Sequence, residues 1–139
     1  MAATYEEARD LLSAFVTTNW NVATSSAPLL YDNLNADRPA TPSLFGRLNI
    51  QHVSGMLAAL GASRFRRMGV LSVQVFVPLG SGTQQADQVA ESLVEALEGV
   101  GPTTLENVWL RNIGMREVGP DGTYHQVNVE ADFTFDRVV

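Results

Sequence analysis

Guanidinium meeting carboxylate is the chemistry this chain is best equipped for. Three arginines crowd the stretch Arg64-Phe65-Arg66-Arg67, and Asp87, Glu91 and Glu95 follow at successive i, i+4 spacings with Glu98 close by. Like charges so spaced on a helix destabilise it by roughly 0.2 to 0.5 kcal/mol per pair. Few bases nearby in sequence relieve them. Arginine pairs carboxylates bidentately, so the two clusters are expected to meet across a subunit or partner interface. Strand alternation would send Arg64 and Arg66 to one side and Arg67 to the other. The plainer alternative is that both clusters are solvated surface.

Other candidate chemistries fail on their own requirements. His52 and His125 are the only histidines, neither has a second histidine at ligand spacing, and the chain has no cysteine, so no metal site is expected. Glu130 and Asp132 could imitate a paired-carboxylate acid–base site, but no positioned nucleophile accompanies them. Ser25, Ser26, Ser54, Ser72 and Ser81 lack a nucleophile-elbow context. Gly80-Ser81-Gly82-Thr83 has the strand-to-helix placement of a phosphate cradle. All nine basic residues are arginine, however, so the lysine such a loop requires is missing. No catalytic residue and no cofactor is expected, and the chain reads as a non-enzyme.

Fifteen acids against nine bases give a net charge of −6. Broad neutralisation of DNA phosphates is therefore not expected. The length of 139 residues suits one domain spanning 1–139, and 45% apolar residues suit a globular core. No apolar run approaches the roughly 18 residues of a membrane helix. The opening MAATYEEARD carries acids where a secretory signal needs bases, so the expected setting is intracellular.

The elements that must position the two charge clusters form the middle of the chain. From Gly69 to Val77, Leu71, Val73, Val75 and Val77 alternate with Ser72, Gln74 and Phe76, as a strand requires. Pro78 and the two glycines end it. A helix follows from an N-cap at Thr83, with Ala86, Val89, Ala90, Leu93, Val94 and Leu97 as its apolar stripe and Gly99 at its C-terminus.

On either side the pattern is similar. Thr4 to Glu7 forms a capping box for a helix expected to run to about Thr17, with Ala8, Leu11, Leu12 and Phe15 on one face and Trp20 at the edge of the core. Pro28, Pro39 and Pro42 break the next segment, which predicts a short strand at Leu29 to Tyr31 and an extended loop at about 32–43. Leu44 to Val53 alternates as a strand with one solvated face. Gly55 to Arg67 fits a helical turn or a strand equally well. Leu105 to Val118 and Thr123 to Arg137 predict a hairpin turning at Gly119-Pro120-Asp121-Gly122, its second strand greasy on one face and wet on the other. The sum is an α+β fold: a mostly antiparallel β-sheet with two α-helices packed on one face.

The strand G-x-L-x-V-Q-V-F-V-P, the turn L-G-S-G-T, a helix bearing Ala86, Asp87 and Ala90, and a closing F-x-F-D together resemble the small phage tail-terminator-like proteins, over most of the chain. Those resemble the terminator of lambda-type long-tailed phages. The resemblance implies a structural virion protein that caps the tail tube as a homo-oligomeric, hexameric ring at its head-proximal end. It implies assembly in the host cytoplasm, with the tail tube protein and the head-completion or neck protein as partners, and DNA passing through the lumen without specific binding. No membrane contact and no catalytic residue carries over. A neck or head-tail connector adaptor is the alternative, and a small α+β ligand-binding or catalytic domain the further one.

Overall fold

The computed structural model describes residues 4–32, 37–39, 41–59, 64–80, 82–100, 105 and 107–138. Helix α1 spans Tyr5–Thr24. Thr4 caps it as expected, its Oγ1 accepting from the Glu7 amide at 3.1 Å. The helix runs past the expected end near Thr17, because Trp20 continues the buried series Ala8, Leu12, Val16 at the same spacing. Thr18, Asn19 and Thr24 meanwhile donate back to the carbonyls of Ala14, Phe15 and Trp20. It stops where Ser25 and Ser26 turn to φ of 56° and 67°. Trp20 lies in the core itself rather than at its edge, fully buried with its Nε1 donating to the Ala27 carbonyl at 2.8 Å.

The strands β1 (Leu29–Tyr31), β2 (Phe45–Ala59), β3 (Arg64–Pro78), β4 (Val108–Asp121) and β5 (Tyr124–Val138) make one sheet in the order β1-β2-β3-β5-β4. Only the β1–β2 pair is parallel. The ambiguous stretch after Gly55 is strand on both arms, to Ala59 and again from Arg64, with 60–63 outside the described residues. Of the loop expected at about 32–43, residues 33–36 and 40 also lie outside them. The closing hairpin turns later than expected. β4 continues through Gly119, Pro120 and Asp121 with a bulge beside Gly119, and the turn is Gly122-Thr123. Proline is tolerated there because β4 is an edge strand.

Helix α2 spans Gln84–Glu98. Thr83 sits at its N-cap, where its carbonyl accepts the first helical bond from the Asp87 amide at 3.0 Å, but its side chain makes no cap bond. The buried stripe Ala86, Val89, Ala90, Leu93 and Leu97 meets α1 and the sheet, and both helices cover the same face. Two glycines allow the closest approaches in this core. A Cβ on Gly46 would lie 2.5 Å from the Trp20 ring, and one on Gly69 would lie 2.3 Å from the Phe133 ring and 2.4 Å from the Gln51 carbonyl.

The outer face of the sheet is not the wet surface that alternation suggests. Tyr124, Gln126, Asn128, Thr134 and Asp136 are all buried, because β5 lies inside the sheet and side chains from β3 and β4 close over it. Phe45, expected on a solvated face, is also buried. It stacks on Phe76 at 4.6 Å between ring centres, with Tyr124 edge-on at 4.9 Å. Arg38 covers the group at 5.1 Å from the Phe76 ring centre and pairs with Asp121 at 2.7 Å.

Candidate assembly surfaces

The arginine cluster stands at the start of β3, paired with the last residues of β2. Val53 adds one residue to β2, so that Met56 pairs with Arg66 and Leu57 with Phe65. Val53, Met56, Leu57 and Phe65 are all exposed. Apolar side chains thus lie bare on both faces of this arm.

Alternation splits the arginines. Arg67 turns to the helix side, its guanidinium 4.2 Å from the centre of the Tyr5 ring. Arg66 turns to the outer face and grips Asp136 bidentately, with Nε donating to Oδ1 at 2.9 Å and Nη2 to Oδ2 at 3.2 Å. Arg64 reaches the same carboxylate at 3.5 Å. These bonds to Asp136 hold the Arg66 proton more firmly than usual. The first carboxylate that Arg64 and Arg66 meet therefore comes from β5 of the same chain, a partner 70 residues away that nearest-neighbour reading did not find.

Asp87, Glu91 and Glu95 are exposed on α2, the helix covering the inner face. None makes an ion pair among the described residues. The sheet separates them from Arg64 and Arg66 on the outer face, while Arg67 shares the helix side with them.

A second outer-face feature was not foreseen. Arg66, Trp109, Arg111 and Thr134 line a groove of about 230 Å³. Among the described residues Arg111 donates only to the Met68 sulfur, at 3.7 Å. The Thr134 hydroxyl is buried without a hydrogen-bond partner. The available signal was Trp109 and Arg111 two residues apart, hence on one face of a strand. Glu130 and Asp132 serve as acceptors, Glu130 for Arg116 at 3.0 Å and Asp132 for the Asn112 amide at 2.7 Å. His52 sits edge-on to Tyr5 at 4.6 Å, and burial, together with the charges of Arg9 and Arg67, lowers its pKa below the ordinary imidazole value. Among the described residues no three His, Cys, Asp or Glu side chains converge as a metal site would need, and no helix is long and apolar enough to cross a membrane.

This architecture recurs in solved proteins. One structure matches with a TM-score of 0.69 and 20% identity, covering 96% of each chain. Another, a chain in the virion of a native gene transfer agent (GTA) particle, matches with a TM-score of 0.55 and 12% identity, covering 90% of this chain and 94% of that one. At such identities the likeness is one of fold. No curated protein matches the sequence. The family model described as phage tail terminator protein matches residues 8–101, from the first turns of α1 to just past α2. The chain belongs to the phage tail terminator family, a family of structural tail proteins.

Proposed function

We propose that this protein closes as a cyclic homo-oligomer, a hexamer, on the head-proximal end of the tail tube, stops tube growth there and presents the docking face for the head-completion protein. Membership of the terminator family is the observation that carries this reading. Geometry supports it in one respect. A cyclic ring needs two different, complementary patches on each subunit. Here an acidic stripe on α2, without an ion pair among the described residues, and the outer face bearing Arg64 and Arg66 lie on opposite sides of the sheet, so that they meet between copies.

On this reading residues 1–139 act as one domain, assembled in the host cytoplasm and carried in the virion. Arg64 and Arg66, on the outer face, belong to one side of the subunit interface and Asp87, Glu91 and Glu95, on α2, to the other, with Arg67 joining the interface from the helix side. Duplex DNA passes through the lumen without specific binding, consistent with a net charge of −6. The test is a pull-down of the full chain against tail tube protein and, separately, portal-side neck protein, with the mass of the retained complex measured. A ring retained on the tube supports the proposal. Retention by the portal-side protein alone, or a monomer on the tube, sinks it.

A further inference from the structure

We infer that the groove lined by Arg66, Trp109, Arg111 and Thr134 is a carboxylate receptor, and that it takes the acidic stripe of α2 from a second copy of this chain. This rests on the ring reading and gives its interface a specific address.

Three observations converge on the groove. Arg111 has only a thioether as acceptor among the described residues, although a guanidinium offers five donors and matches a carboxylate bidentately. Arg66, across the groove, already spends two donors on Asp136, which fixes its plane without exhausting it. Thr134 is 7% exposed and lines the groove, and among the described residues its buried hydroxyl has no hydrogen-bond partner, a costly state for a polar group that a small adjustment towards an entering acceptor would relieve. The 42%-exposed Trp109 adds an apolar wall of the kind that recurs at the centres of protein interfaces.

The charge pattern selects the occupant. Glu130, Asp132 and Asp136 all lie along β5 beside the groove, so a polyanionic backbone following that strand would meet repulsion on leaving a narrow positive spot. An isolated carboxylate on a helix can enter between them. The chain carries that group in Asp87, Glu91 and Glu95, none of them in an ion pair among the described residues, on the far side of its own sheet and out of reach of its own groove. A neighbouring copy has no such obstacle. The resulting contact joins unlike patches and leaves one of each free, which is the kind that closes a ring.

The experiment is a charge swap in the full-length chain, with self-association followed by sedimentation both alone and on tail tubes. Arg111 is exposed and Arg111→Glu should keep the wild-type circular dichroism spectrum. It should weaken association by at least about 30-fold, as truncating a charge-paired group at an interface does. Asp87→Arg, Glu91→Arg and Glu95→Arg are then added singly to Arg111→Glu. At least one should restore association to within about threefold of wild type, because reversed charges again attract. Undiminished association of Arg111→Glu, or failure of all three swaps to restore it, overturns the receptor while leaving the ring intact. A wild-type chain that stays monomeric even on tubes instead removes the ring reading beneath it. Duplex DNA held by wild type at physiological salt and released by Arg111→Glu would assign the groove to phosphate and overturn the proposal.

Discussion

The two halves of the β2–β3 hairpin share one ladder and differ in what covers them. In the half nearer the helices, Leu48, Ile50, Leu71, Val73 and Val75 are buried beneath α1 and α2. In the other half the strands still pair, but Val53, Met56, Leu57 and Phe65 are open to solvent. Backbone hydrogen bonding is thus continuous across a boundary where side-chain burial stops. The first half is stabilised by this chain's own core. On the proposed reading the second is stabilised by another chain, and its arginines lie where that contact would form.

That contrast is open to attack first where the helices grip. Trp20→Ala would leave a large void over Gly46 and should lower folding stability by roughly 3 to 5 kcal/mol, measured by urea unfolding. Gly69→Ala should follow, at about 2 to 3 kcal/mol, since its methyl would overlap the Phe133 ring and the Gln51 carbonyl. Effects below about 1 kcal/mol at either site would mean that this half is far less tightly packed than the geometry indicates.

The bare half should behave oppositely. Leu57→Ser with Phe65→Ser loses one cross-strand pair and should cost at most about 1 kcal/mol of folding stability. Ring assembly on the tube should nevertheless fail. Normal assembly by the double variant would mean that the arm is not part of the contact.

At the boundary sits His52, whose depressed pKa yields the smallest expected effect. Its stabilising neutral form is fully present above the ordinary imidazole value of about 6.5. As pH falls below that value the unfolded chain takes up the proton first, so stability declines towards and through the lower folded value. Replacing His52 with Gln should flatten urea midpoints compared between pH 7.5 and 5.5. An unchanged slope would show that the ring titrates alike in both states.

Legibility in the sequence followed the same boundary. The periods of Leu71 to Val77 and of Ala86 to Leu97 announced their elements because each buries one stripe against a core in the same chain. Gly55 to Ala59 carried no such period, since nothing among the described residues covers Met56 and Leu57, and its strand character comes from pairing with β3. The end of α1 lies beyond the expected Thr17 because Thr18, Asn19 and Thr24 bond back to the helix while Trp20 extends its buried stripe. Burial on the outer face was hidden for a topological reason. Alternation tells two faces apart but not whether a strand lies inside the sheet, and β5 does. For the same reason the Asp136 partner of Arg66 and the pairing of Trp109 with Thr134 across the β4–β5 ladder emerge only once the strand order is known.

The most direct measurement of the central claim is the length distribution of tails, read from electron micrographs of particles assembled with and without this protein. A ring that caps the tube predicts tails of uniform length ending in a six-fold ring when it is present, and long tubes of scattered length without heads when it is absent. Tails of the same uniform length and head attachment in both preparations would contradict the account.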